Sequence, residues 1–182
     1  LLFIKESHAT ALFPGGFGTL DEGFESLTLV QTGKSDPRPI VFVDVPRGSF
    51  WRPLLKFFDE QLAGQGMISS EERSIYQVAR SAKDAARVIL DFYSTYHSLR
   101  YVGEQLVLRL QRPLPERAVA QLSREFRGIL RGGEIRQGGP LPQEADEPAL
   151  HNLPRLVLRF NRREYGRLTE LIHRINALGG GD

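Results

Sequence analysis

Near the start of the chain, PGGFGTLDE (Pro14 to Glu22) holds residue types that could do chemistry. Gly15, Gly16 and Gly18 leave backbone N–H groups free of side chains that would keep a ligand away. If a helix opens there, its first N–H groups carry partial positive charge and suit a phosphate. Glu22 then stands one turn inside that helix, a carboxylate within ångströms of whatever the phosphate carries. The same letters also read as architecture. Pro-Gly-Gly stops a strand, and Thr19 with Glu22 has the T-x-x-E spacing of a capping box, each side chain accepting the other residue's backbone N–H. Both readings stay open on spacing alone. No Gly-Lys-Ser/Thr follows, so this is not a Walker A loop, and it is not G-x-G-x-x-G.

Other reactive types are sparse. The chain has no cysteine, which excludes disulfides, thiolate metal sites and a cysteine nucleophile. His8, His97, His151 and His173 show no metal-ligand spacing, and no G-x-S-x-G elbow is present. Neither a cofactor nor a metal is expected. Trp51 could line a base pocket, although its spacing to Leu54 and Leu55 is that of a helix's buried face. Lys34 and Arg38 flank a loop that could approach a nucleotide or simply be solvated. Asp44 ends a strand, as a helix cap or a minor site residue.

The elements that must position these residues alternate through the first 98 positions. ATALF (9–13) reads as a buried strand, 19–32 as a helix stopped by Gly33, and PIVFVDV (39–45) as the clearest strand. A helix follows with Trp51, Leu54, Leu55, Phe58 and Leu62 on one face, then a helical turn at 71–74 and a short strand at 75–79. A last helix runs from Ser81 to about Tyr96. Strand and helix in alternation predict a parallel sheet covered on both faces, a doubly wound α/β domain over 1–98.

Past His97 an internal echo appears. LVLRLQR (106–112) and LVLRFNR (156–162) match at a separation of 50 residues, and each precedes a helical stripe, Val119, Leu122, Phe126 and Ile129 in one and Leu168, Leu171, Ile175 and Leu178 in the other. Two strand-helix units predict a small α+β layer over 99–182, ferredoxin-like or ACT-like, with a further strand near Glu134 to Arg136. The proline-rich stretch between them reads as a mobile loop. Arg109 and Arg159 occupy equivalent positions, either pairing with an anion or facing outward.

Charge is uneven: the 182 residues carry +2 overall, −2 in residues 1–98 and +4 in 99–182, where every basic residue is arginine. Interspersed acids and the absence of an RNA-binding signature put a solvated surface ahead of nucleic acid. No apolar run reaches the roughly 18 residues of a membrane helix and no leader precedes the first strand, so a soluble cytoplasmic protein is expected. The chain opens on Leu1 with no turn before LLFI, the look of the back part of a longer protein.

Pro14, Gly15, Gly16, Gly18, Thr19 and Glu22 fit P-G-G-x-G-T-x-x-E, and with TGK, PIVFVDV and FWRPLLKFFDEQLAGQGMIS downstream the chain resembles the LOG family, also called lysine-decarboxylase-like, over about residues 1–93. The resemblance implies half of a Rossmann-like sheet and a phosphoribohydrolase, which cleaves nucleoside 5′-monophosphates to free base and ribose 5-phosphate. It makes Glu22 the catalytic carboxylate, places the 5′-phosphate on Gly15, Gly16, Gly18 and Thr19, and implies a homo-oligomer. No lysine context for pyridoxal phosphate is visible. The family's arginine falls upstream of Leu1, Lys5 is not placed to replace it, and the earlier phosphate loop is also missing. The fragment alone is therefore expected to be inactive. The competing expectation is a nucleotide or nucleotide-cofactor carrier that keeps the loop without hydrolysis.

Overall fold

A computed structural model describes residue 4 and residues 6–180; Leu1 and Lys5 lie outside the described residues. The chain divides into two compact units, Leu1–Asp91 with Tyr165–Glu170, and Phe92–Glu164 with Leu171–Asp182.

In the first unit β1 (Thr10–Leu12), β2 (Ile40–Val43) and β3 (Gln77–Ala79) form a parallel sheet in the order β1-β2-β3. Thr10 lies opposite Ile40 and Leu12 opposite Phe42, while Val41 faces Gln77 and Val43 faces Ala79. β2 is buried at all four residues, because both faces of the sheet are covered. Alternation sends Ile40 and Phe42 into one core with Leu12, Val30, Trp51, Phe58 and Ile75; α1 (Phe17–Gln31) and α2 (Arg52–Phe57) pack there through Leu20, Leu27, Leu54 and Leu55. Val41 and Val43 turn the other way, to Ala79 and to Ala85, Val88 and Ile89 of α3 (Ala82–Phe92). The expected strand and helix order is what forms.

Two details depart from the expected pattern. α2 does not run on as a regular helix; from Phe58 to Ala63 it widens to π-helical geometry, which keeps Phe58 in the core. The short helical turn is a 3₁₀ helix, Ser70–Ile75, and it carries a capping box in which the Ser69 N–H donates to Glu72 Oε2 at 2.6 Å.

The second unit is an antiparallel sheet of β4 (Tyr96–Val102), β5 (Gln105–Leu110), β6 (Arg136–Gly138) and β7 (Arg155–Leu158), in the order β4-β5-β7-β6. Its helices are α4 (Glu116–Glu125) and, from Leu171 on, α5 (Tyr165–Gly179). β4 replaces the expected tail of the preceding helix. It turns back into β5 at Gly103, whose φ of +59° is the left-handed conformation that such a tight connection requires. The echoed segments are neighbours, paired with Leu106 opposite Leu158, Val107 opposite Val157 and Leu108 opposite Leu156. One face carries Leu99, Leu106, Leu108, Leu156 and Leu158, all buried. On the other face the register lines up Ser98, Arg109, Arg155 and Gly138 across the four strands.

The stretch read as a mobile loop is pinned. It folds into 3₁₀ turns at Pro142–Glu144 and Pro148–Leu150, and Glu144 is fully buried against Arg109 and Arg155. The two equivalent arginines part ways: Arg109 does not face outward but is buried against Glu144, whereas Arg159, half exposed, reaches Glu104 at 2.8 Å. The anion that Arg109 meets is the chain's own.

Candidate functional site

The glycine loop leaves the carboxyl end of β1 and opens α1. Gly16 is the N-cap residue, in extended conformation, and no side chain caps the helix. The capping box expected of Thr19 and Glu22 is therefore absent: α1 starts two residues earlier than Thr19, so Thr19 sits inside the first turn. The Leu20 N–H is the first to bond back, to Gly16 O at 3.2 Å. Those of Phe17, Gly18 and Thr19 precede it and have no acceptor within the helix.

Each glycine has its own reason. A Cβ on Gly15 would overlap Thr19 Oγ1, so the threonine hydroxyl folds back over the loop only because residue 15 has no side chain. Gly16 and Gly18 are different. Neither has positive φ, and a Cβ on either would meet nothing within 4 Å. Nothing among the described residues requires glycine at these two positions. Gly23, which sequence reasoning passed over, is a packing glycine: it is buried, and its Cβ would lie 3.0 Å from Leu12 Cδ1, so it sets how closely α1 rests on β1.

Thr19 and Glu22 are three apart on α1 and share a face. Glu22 is exposed, and its carboxylate has no hydrogen bond or ion pair among the described residues. With no cap to make, it is available to a ligand. The structure thus brings Gly15, Gly16, Gly18 and Thr19 together at one helix start, with Glu22 one turn along.

The other candidates turn inward. Trp51 is buried, and its indole N–H donates to Val43 O at 3.0 Å, closing the end of β2 from within the core. Asp44 is buried and accepts the Val45 N–H at 2.9 Å through Oδ1; Gly48 lacks the Cβ that would overlap it. Asp44 shapes a turn. Arg38 is also buried, donating to Ile4 O, to Ser7 Oγ at 2.6 Å and to Thr10 Oγ1 at 3.1 Å. That is the amino end of β1, away from the glycine loop, and Lys34 is exposed. Phe13, Phe17, Val45 and Phe50, 51, 93, 58 and 47 % exposed, follow the carboxyl ends of β1 and β2. Periodicity could not flag them, since each stands outside a strand or at the first turn of a helix. Among the described residues no group of three or more His, Asp or Glu could hold a metal, and no helix is long and apolar enough to cross a membrane.

Comparison with known proteins adds the lineage. Residues 1–89 match the family model described as possible lysine decarboxylase. The chain is 35 % identical over 88 residues to the cytokinin riboside 5′-monophosphate phosphoribohydrolase LOG1 of Arabidopsis thaliana, covering 48 % of this chain and 39 % of that protein. It is 34 % identical over 93 residues to LOG4 of the same plant, covering 51 % and 41 %. A probable enzyme of the same description, LOGL1 of Oryza sativa subsp. japonica, is 34 % identical over 83 residues, 46 % of this chain and 35 % of the relative. The chain spans about two fifths of the length of these relatives. Residues 1–89 thus carry a domain of the lysine-decarboxylase-like type found in the LOG proteins.

Proposed function

We propose that the protein hydrolyses the N-glycosidic bond of nucleoside 5′-monophosphates, releasing free base and ribose 5-phosphate. The observation that carries this reading is the pairing of an uncapped helix start, bare at Gly16 and Gly18, with an unpartnered Glu22 one turn on. The first-turn N–H groups and the Thr19 hydroxyl hold the 5′-phosphate. As the C1′–N bond breaks, its electron pair leaves with the base and positive charge builds on the ribose. Glu22 stabilises that charge and takes a proton from the attacking water, whose oxygen bonds to C1′; a proton passes to the departing base and Glu22 returns to its carboxylate form, so that the water is divided between ribose and base. The reaction needs no redox cofactor. The named activity of the relatives supports this substrate class.

The finer architecture follows the same reading. The first unit is half of a Rossmann-like sheet, with the loop at the strand ends where open α/β sheets place ligands. For the second unit we infer a ferredoxin-like layer in permuted order: the sequence β5-α4-β6-β7-α5 with β4 at the edge beside β5 has the strand order of a split βαβ pair, except that the edge strand comes first in the chain. A cytoplasmic homo-oligomer is the expected assembly, and light scattering on the full-length protein tests it.

The decisive experiment follows base release from a panel of 5′-monophosphates by the full-length protein. Glu22→Gln should lower turnover by about 10²- to 10⁴-fold while monophosphate still binds. Unchanged turnover removes Glu22 from the mechanism. Saturable binding with intact nucleotide recovered after long incubation makes the protein a carrier instead.

A further inference from the structure

The second unit holds an ionic cluster that the proposed reaction does not use. Arg109 of β5 and Arg155 of β7 lie directly opposite each other in the sheet, and both side chains are almost wholly buried. Directly opposed like charges are unfavourable across a strand pair. Glu144 resolves the conflict. Its Oε1 accepts from Arg109 Nε and Nη2 at 3.0 and 2.8 Å and from Arg155 Nη2 at 3.3 Å, and its Oε2 accepts from Arg155 Nε at 3.2 Å and from the Leu141 N–H at 3.0 Å. Arg109 also binds Glu147. Arg100 of β4 binds Asp146 through two nitrogens, at 2.7 and 3.0 Å, and Glu147 at 2.6 Å. Three guanidiniums on one sheet face thus meet three carboxylates from a single stretch, Glu144 to Glu147.

The side-chain hydrogen bonds that tie that stretch to the sheet run through those charges. From Leu141 to Leu153 the backbone N–H bonds close within the segment, Glu144 to Leu141, Glu147 to Glu144, Leu150 to Glu147, His151 to Pro148 and Leu153 to Leu150. Among the described residues none of these backbone bonds joins a strand. Apart from the carboxylates, Arg155 Nη1 holds the carbonyls of Leu150 and Leu153. Buried ion pairs are poor sources of net stability compared with apolar packing, and their best-attested use is as a switch or a specifier of pairing.

We propose that Leu141–Leu153 is a displaceable strap, an internal anion lying over a cationic site for a phosphate-chain ligand. Arg100, Arg109 and Arg155 are the residues that bind it. The ligand class follows from the chemistry: guanidiniums in this array take oxyanions through paired N–H groups. Three positive charges held by three carboxylates call for a ligand with three or more negative charges in a short chain, as in a tri- or polyphosphate. Orthophosphate spans too little of the array to replace all three carboxylates at once.

Inorganic tripolyphosphate is the probe, titrated calorimetrically into the full chain at constant ionic strength, with hydrogen exchange of the Leu141–Leu153 amides read in parallel. The expected result is saturable binding, with exchange in the strap rising at least several-fold on saturation. Glu144→Gln with Glu147→Gln should tighten binding about tenfold or more, and Arg109→Met should abolish it. Glu147→Gln alone, at a half-buried position, should tighten binding by a smaller factor and guards against misfolding of the double variant. Absence of binding to both the parent and Glu147→Gln overturns the proposal. So does binding that leaves strap exchange unchanged, or an equal effect of orthophosphate at matched ionic strength, which would mark simple charge screening.

Discussion

At the scale of single residues, the glycines of the loop separate architecture from ligand chemistry. Gly18 is inside the first turn of α1 with open space at its Cβ position, so Gly18→Ala should leave stability unchanged or raise it by up to about 1 kcal/mol. The same change puts a methyl group over the proposed phosphate site. Base release by the full-length protein should fall sharply, and urea denaturation beside the activity assay checks both halves. Gly23→Ala is the converse, pressing on Leu12 and costing about 1 to 3 kcal/mol with no direct effect at the loop. The motif was legible because it is local: nine contiguous letters carry it. What spacing could not supply was the starting point of the helix. An extended Gly16 opens α1 without any side-chain cap, so the T-x-x-E pattern of Thr19 and Glu22 is coincidence with a capping box. The cap that forms, Ser69 with Glu72, sits elsewhere in the unit.

At the scale of elements, β2 could be read because it is buried on both sides, and such a strand is a continuous apolar run. β4 escaped because YHSLRYV mixes polar and apolar residues and follows directly on a helix. Its position rests on a residue 80 places away. Asn176 Oδ1 accepts the Thr95 and Tyr96 N–H groups at 3.0 and 2.8 Å, while its Nδ2 donates to Phe92 O at 2.6 Å. One amide thus satisfies three backbone groups where α3 gives way to β4. Asn176→Ala leaves them without that partner and should cost about 2 to 4 kcal/mol, read as a lower denaturation midpoint. The strap escaped for the opposite reason. Proline, glycine and acids are the composition of a solvated loop, and only the fold brings Arg109 and Arg155 beneath Glu144.

At the scale of the whole molecule, the second unit should be acid-sensitive in two stages. Burial, with the positive charges of Arg109 and Arg155, pushes the His97 imidazole below its usual range. A depressed folded value means that the unfolded chain binds the proton more readily, so this contribution is fully present above about pH 6.5 and is lost as pH falls through the lower folded value. Glu144 forms the second stage. Burial pushes its carboxyl up, but the Leu141 N–H and the guanidiniums of Arg155 and Arg109 together outweigh this and hold it below the usual range. Hydrogen bonds from Arg109 and Arg100 lower Glu147, and those from Arg100 lower Asp146. Their contribution is present above the ordinary carboxylate values and disappears below them. Urea midpoints of the full chain should be level near pH 8, decline below about pH 6.5 and drop again below about pH 4.5. His97→Gln should remove the first decline and leave the second.

The echo between β5 and β7 stops at a residue that the strap uses. Because LVL occurs in both, a strand pair of two β5 segments would face its leucines as β5 and β7 do within the chain. In that arrangement the position held by Arg155 would be taken by Gln105, the corresponding residue of the repeat. Glu144 would then keep one guanidinium instead of two. Full closure of the strap thus depends on the two repeats being unlike at this one position, arginine in β7 and glutamine in β5.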